Sequence, residues 1–432
     1  MATVLLACAP LRGHLDPVLG VAGGLITDGH QVVVATGSRF ASRVESAGAE
    51  FAALTGRADY DERDVDAYLP DLHRYRGVAL SQYQLQHTFI HPLHDQWVTL
   101  TALIDSVEPD IVMTDHLFAG VTPLLTLPAS ERMPVVGLGI GPLAQLSIDT
   151  APPGMALQPS STPIGRIRNR LLNAVATKVA FRDTQRLARR LFADATGRPL
   201  PPDFPFILDL TAQFDRFLQL GPREFEYPIS DLSPGVRFVG RAAGAAPSIP
   251  TPPWWDDLAD GRPIVHVTQG TLANADTSAL LRPAIEALGT LDMHVLVSTG
   301  GTSVAALGPL PANVKAAEFL PYDQLLPRAA AVVSNGGYGT VLAALAHGVP
   351  VVVAPGAEDK PEVAARVRYF DVGIDLRTNR PAAAELRRAV VDVLGDARYH
   401  TNASAIAAAM AQARPHEAVR QEVDRLLART RP

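Results

Sequence analysis

Two series of short apolar runs, each alternating with helix-length amphipathic stretches, constrain this chain more than any other feature. The first series is TVLLACA (Thr3 to Ala9), QVVVAT (Gln31 to Thr36), DIVMT (Asp110 to Thr114) and PVVGLGI (Pro134 to Ile140). The second is PIVHVTQ (Pro263 to Gln269), HVLVST (His294 to Thr299), AAVVS (Ala330 to Ser334) and PVVVAP (Pro350 to Pro355). Strand-length runs separated by helices predict parallel sheets covered on both faces. Asp16 and Pro17 predict a helix start between the first two runs, and Gly29 its stop. From Pro153 to about Phe206 the strand signal gives way to a helical, Arg-rich segment, and the Pro- and Gly-dense stretch Gly221 to Trp255 reads as a connection. The expected division is an open α/β domain over residues 1–220, a linker over 221–253, a second α/β domain over 254–405 and a helical tail over 406–432. Facing domains of this kind place both sets of strand carboxyl ends at one cleft, where ligands bind.

Composition narrows the function. The 432 residues exceed what one core usually organises, and 47% apolar with 19% charged is ordinary for a globular protein. A net charge of −6, with lysine only at 178, 315 and 360, implies no nucleic-acid partner. Cys8 stands alone, which excludes disulfides and Cys-rich zinc sites within one chain. The opening MATVLLACAPLRGH has no basic region of a signal peptide, and no apolar run approaches the roughly 18 residues of a membrane span. A cytoplasmic protein without membrane insertion is expected.

The second series contains the stretch SNGGYGT, Ser334 to Thr340, between a buried strand and a helix. Bare backbone at a helix start offers N–H groups to an anion, so it reads either as a phosphate site or as a turn that only permits tight packing. It is no Walker A loop, because no lysine follows a glycine, and no G-x-G-x-x-G fingerprint is present.

The segment FLPYDQLLPRAAAVVSNGGYGTVLAALAHGVPVVVAPGAEDKPEVAARV, Phe319 to Val367, resembles the donor-binding signature of family 1 glycosyltransferases, and RGHLDPVLGVAGGLITDGHQVVVAT resembles that family's opening. The resemblance implies the GT-B fold: two Rossmann-like domains with parallel sheets facing a central cleft, an amino-terminal one for the acceptor, a carboxyl-terminal one for the nucleotide-sugar, and a last helix that crosses back. It implies an inverting, metal-independent transfer from a UDP- or dTDP-sugar to a small lipophilic acceptor of the bacterial secondary-metabolite class, with no cofactor beyond the sugar nucleotide. Homodimerisation is left open.

Sugar transfer needs a deprotonated acceptor and a stabilised leaving group. His14, just past the first strand, suits the role of general base, and Asp115, at the same edge of the same sheet, suits that of its orienting carboxylate. The resemblance assigns them the same roles. The amides and hydroxyl around Gly336, Gly337, Gly339 and Thr340 would hold the diphosphate, with Thr271 opposite. Phe319 either stacks on the nucleobase or ends a strand as a core phenylalanine. Gly13, Leu320, Asn335, Asp359 and Lys360 complete the expected donor set. The family usually has histidine at Asn335, glutamate at Ala343 and glutamine at Lys360, so the ribose carboxylate is lost or supplied from elsewhere and a cation stands beside Asp359.

Three other features have bland readings. The D-x-D at Asp64 to Asp66 reads as a solvated acidic run rather than a magnesium site. His87, His91 and His94 have zinc-compatible spacing, but Pro92 interrupts the helix and a pocket or core wall is expected. Arg166, Arg168, Arg170, Lys178, Arg182, Arg186, Arg189 and Arg190 interleave with Ile167, Leu171, Val175, Val179 and Leu187, a solvated helical face or a surface for anionic membrane. Two rival functions follow: a lipid glycosyltransferase, or a weakly catalytic nucleotide-sugar-binding auxiliary protein.

Overall fold

The structure is a computed structural model and describes residues 1–242, 249–270 and 276–430. Among these, thirteen parallel strands form two sheets. The first contains β1 (Thr3–Ala7), β2 (Gln31–Thr36), β3 (Glu50–Ala53), β4 (Ile111–Asp115), β5 (Val135–Gly139), β6 (Arg216–Gln219) and β7 (Val236–Phe238), in the order β3-β2-β1-β4-β5-β6-β7. The second contains β8 (Ile264–Thr268), β9 (His294–Ser298), β10 (Val314–Ala317), β11 (Ala329–Ser334), β12 (Val351–Val353) and β13 (Gly373–Asp375), in the order β10-β9-β8-β11-β12-β13. Each sheet therefore has the doubly wound Rossmann order, with its reversal between the first and fourth strands.

Strand periodicity explains why both faces are apolar. Val4 and Leu6 enter one core while Leu5 and Ala7 enter the other, and in β2 Val32 and Val34 oppose Val33 and Ala35 in the same way. The second sheet repeats the division, with Val352 on one face and Val351 and Val353 on the other. The β3, β6, β7, β10 and β13 strands were not anticipated from the sequence: four are three or four residues long at sheet margins, and their apolar runs are correspondingly brief.

Three boundaries differ from expectation. The first helix begins at Arg12, ahead of Asp16 and Pro17, and encloses Pro17. Its start is capped from a distance: the Arg12 N–H donates to Glu62 Oε2 at 2.9 Å, and Asp16 pairs instead with Arg43 at 2.6 Å. Gly29, at φ 84°, does follow the helix end at Thr27. The second difference lies in the 221–253 stretch, which supplies β7, the margin of the first sheet, as well as a connection. At its start, a Cβ on Gly221 would collide with the Tyr338 hydroxyl, so glycine lets the two halves approach there.

The third concerns the tail. The helix Ala397–Gln412 keeps Ala403 and Ile406 in the core of the second sheet, and only the following helix, Pro415–Thr430, returns to the first. There Val419, Val423, Leu426 and Leu427 join the cluster under β1 and the Arg12–Thr27 helix. Each such side chain contributes about 1.5–3 kcal/mol when buried, so the return is firmly seated.

A buried charge network joins the halves on the opposite side. Arg366, in the helix Lys360–Tyr369, donates from Nε to Glu226 Oε1 at 2.8 Å and from Nη1 to Glu362 Oε2 at 3.2 Å, and its guanidinium lies 4.3 Å from the Tyr227 ring centroid. Glu226 Oε2 accepts from Leu143 N at 2.9 Å, and Glu362 Oε1 accepts from Gly154 N and Ala156 N at 2.9 and 2.8 Å. Arg366→Ala would leave Glu226 buried without its cation, a loss of about 3–5 kcal/mol. A clear fall in the denaturation midpoint is expected. An unchanged midpoint would mean the network does not hold the halves together.

Candidate active site

Each sheet places its chemistry at its own reversal point. In the first, β1 leads through a short turn into the Arg12–Thr27 helix while the adjacent β4 ends at Asp115, so His14 and Asp115 come from neighbouring strands. His14 Nδ1 lies 3.2 Å from Asp115 Oδ2. That is an ion-pair distance, but the angle falls short of hydrogen-bond geometry and leaves Nδ1 without a formal hydrogen-bond partner. Such pairs commonly tighten once substrate is present. His14 sits in the first helical turn rather than ahead of it, and its ring stacks on Phe89 with centroids 5.3 Å apart.

Asp115 is fully buried and doubly anchored. Oδ2 accepts from Ala9 N at 2.8 Å and Oδ1 from Leu117 N at 2.7 Å. Burial opposes its ionisation, but the His14 and His116 imidazoles and the Ala9 N–H hold the carboxyl below its ordinary value. It is therefore a carboxylate at neutral pH, fixed in direction. Neighbouring His116 is wholly buried, and desolvation lowers it to about 4, so it stays neutral.

In the second sheet the corresponding strands are β8 and β11. Asn335, directly after β11, donates from Nδ2 to Gln269 O at 2.6 Å, tying the two strand ends together, and its Oδ1 accepts from Gly337 N at 3.4 Å. The asparagine, which the sequence placed in the sugar-nucleotide-binding set, is a brace within the loop. Gly336 has φ 87°, and a Cβ there would lie 2.8 Å from Val353 Cγ1, so this glycine is required by the turn itself. Gly337 and Gly339 differ: a Cβ on Gly337 would meet only ordinary contacts, and one on Gly339 nothing within 4 Å. The open space lies over the first turn of the helix Tyr338–Leu345, beside Thr340. Packing accounts for one glycine and leaves two for something that approaches the backbone.

The other expected residues divide. Phe319 is 39% exposed, beside Gly301 in the loop after β9, and is not a core residue. Leu320 is the reverse, its side chain buried against Leu258 and Leu296. Ala343 is likewise core. Gly13 is exposed with open space above it. Asp359 precedes the helix Lys360–Tyr369, and its Oδ2 faces Gly141 of the first domain, 3.5 Å from where a Cβ would stand. Its carboxyl is reachable by solvent yet crowded by the cleft, which pushes it up, with Lys360 opposing and Glu358 adding. Lys360 does not turn to Asp359; its Nζ pairs with Glu358. Glu358 and Asp359 both sense the His14 imidazole across the cleft. Thr271 lies outside the described residues.

The alternative sites come apart. Asp64 caps the short helix Val65–Tyr68 by accepting from Ala67 N at 3.2 Å. The His87 and His91 rings lie tilted at 52° with centroids 4.7 Å apart while His94 Nδ1 turns to Asp95 at 3.0 Å, so the three do not converge. Among the described residues no group of three or more His, Cys, Asp or Glu is disposed to hold a metal ion. Sequence reasoning missed Phe89 and Glu62, whose distance from His14 in the chain leaves no local signal.

Residues 282–425 match the family described as "Erythromycin biosynthesis protein CIII-like, C-terminal domain". Over 406 residues the chain is 39% identical to the 4'-demethylrebeccamycin synthase of Lentzea aerocolonigenes, covering 93% of this chain and 94% of that protein. It is 34% identical over 414 residues to the UDP-glycosyltransferase 2 of Phaeomoniella chlamydospora, covering 93% and 90%. Among solved structures, the glycosyltransferase VinC in complex with DTDP superposes with a TM-score of 0.70 at 20% identity, over 99% of this chain and 100% of that one.

The glycine turn separates into testable parts. Gly336→Ala should cost about 1–2 kcal/mol of stability through its left-handed backbone and the contact with Val353, whereas Gly337→Ala should change stability by less than about 0.5 kcal/mol. Equal effects in a denaturant titration would contradict this division.

Proposed function

The chain belongs to the family 1 natural-product glycosyltransferases of the GT-B fold, nucleotide-sugar-dependent enzymes, and on that premise we propose an inverting transfer in which His14 is the general base. The donor is a UDP- or dTDP-sugar and the acceptor a small lipophilic secondary metabolite. The relative named a UDP-glycosyltransferase and the DTDP bound to VinC support the donor class, and the similarity to a rebeccamycin-type synthase supports the acceptor class.

The observation that carries this reading is the His14–Asp115 pair at one strand reversal, with the open glycine turn at the other. His14 Nε2 takes the acceptor proton as the acceptor's nucleophilic atom attacks the anomeric carbon. The new bond forms on the face opposite the bond to the diphosphate, which breaks with its electron pair staying on the phosphate oxygen. Asp115, ionised and anchored by two backbone amides, keeps Nδ1 toward itself and stabilises the imidazolium. The amides around Gly337 and Gly339 and the Thr340 hydroxyl receive the departing diphosphate at the positive end of the Tyr338–Leu345 helix. Phe319, exposed, stacks on the base; the Leu320 backbone and Gly13 border the donor; Asp359 bonds sugar hydroxyls. The scheme uses no metal and no cofactor.

Replacing His14 by Ala should lower kcat by about 10²-fold or more and leave nucleoside-diphosphate affinity nearly unchanged. Asp115→Asn should act in the same direction, and the double variant should lose less than the product of the single losses. Wild-type turnover in His14→Ala would remove the mechanism.

Lys360 acts on the donor through Glu358. Their ion pair shapes the loop that presents Asp359, so Lys360→Gln should reorder closely related sugars, a change of about 1–3 kcal/mol in relative kcat/KM. Paired donors competing in one reaction provide the measurement, and an unchanged product ratio would leave Lys360 without a part in donor choice.

A further inference from the structure

The Arg-rich segment is built inside out. The helix Pro163–Val175 buries Gly165 and Asn169, and its amides hold the loop beneath: Asn169 Nδ2 donates to Ile148 O at 3.1 Å and Asn173 Nδ2 to Ser147 O at 2.8 Å. Its apolar side chains point the other way. Ile164, Ile167, Leu171 and Val175, with Val179 of the following π-helical turn Ala176–Ala180, are between 53% and 81% exposed. Their spacing of three and four residues makes one stripe, about 24 Å long over the 16 residues from Ile164 to Val179. Val78, also exposed, lies one turn before Gln82, whose side-chain amide donates to Ala180 O, and so extends the apolar area at that end. Among the described residues nothing covers this stripe, and an exposed apolar area of this size marks an interaction surface.

The charge around the stripe says what covers it. Residues 163–190 carry eight Arg and Lys against the single acid Asp183, in a chain of net charge −6. Arg170, Lys178, Arg182 and Arg190 are exposed, and among the described residues none of the four has an ion-pair partner. Apolar residues flanked by unpaired cations match an acyl-chain boundary beneath anionic headgroups, and two such faces from two copies of the chain would repel. No helix among the described residues is long and apolar enough to cross a membrane, so the contact is one of lying on the surface.

We propose that this face docks the protein on an anionic lipid bilayer. The docked layer is the one that walls the cleft: the stretch from Gly77 to Ile90, joined to it by Gln82 and by the bond from Gln86 Nε2 to Thr184 Oγ1 at 2.8 Å, also carries Phe89 beside His14. A lipophilic acceptor dissolved in the bilayer then has a short path to the base, a consequence that rests on the proposed transfer reaction.

Co-sedimentation of the full chain with phosphatidylcholine vesicles, with and without phosphatidylglycerol, tests the docking independently of catalysis. Binding is expected to the anionic vesicles only and to weaken as salt rises. Arg170→Gln and Arg182→Gln should each lower the partition coefficient about fivefold, and Leu171→Ser combined with Val175→Ser should abolish binding while thermal midpoint and transfer to a water-soluble acceptor stay at wild-type levels. Failure of the wild-type chain to sediment with anionic vesicles would overturn the proposal. So would concentration-dependent dimerisation lost in the Leu171→Ser/Val175→Ser variant, which would make a second copy the occupant.

Discussion

The reversal of strand order at the centre of each sheet is the constraint on which the site depends. Where consecutive crossovers turn to opposite faces, two neighbouring strands end without a helix packed between them, and the crevice that remains receives their last residues. In the first sheet those strands are β1 and β4, which lead into His14 and end at Asp115. In the second they are β8 and β11, and there Asn335 bonds to Gln269 O across the gap while the glycine turn opens above it. The same topology used twice thus holds the His14–Asp115 pair and the open glycine turn at the same kind of position in two separate cores.

Bringing the two crevices opposite each other requires interactions that neither sheet contains. The carboxyl-terminal helix returns to the first core through apolar contacts, and the buried Arg366 network clamps the other side. Because the helix bearing Arg366 begins directly after Asp359, the ion pair with Glu226 also sets where that carboxylate stands relative to Gly141 and His14. A charge removed from water tolerates little displacement from its partners, so the clamp fixes direction as well as proximity. The loop held by Glu362, from Gly154 to Ala156, runs on into the helix with the outward apolar stripe, which links the second half, the first half and that exposed face in one chain of contacts.

Much of the fold was legible because parallel strands buried on both faces must be apolar throughout. The eight runs identified from sequence all became strands, their ends shifted by at most two residues. Short marginal strands such as Val236–Phe238 escaped because three residues in a Pro- and Gly-rich context carry no period. The start of the first helix was misplaced for another reason. Asp16 and Pro17 are good local start signals, but Glu62, 50 residues from Arg12, supplies the cap, and a distant cap leaves no mark beside the helix.

Sequence by itself determined the two α/β halves, the placing of His14, Asp115 and the glycine turn at strand ends, and the family resemblance, because each of these rests on local pattern. Tertiary structure alone decided what the side chains at those places face. It turned Asn335 inward as a brace, sent Lys360 to Glu358 and left Phe319 exposed while burying Leu320. It also directed the apolar stripe of the Pro163–Val175 helix to solvent, where periodicity reports only that one face is apolar. The physical reason is common to all of these: a side chain's partner is chosen by the packing of segments far apart in the chain, and no local spacing encodes that choice.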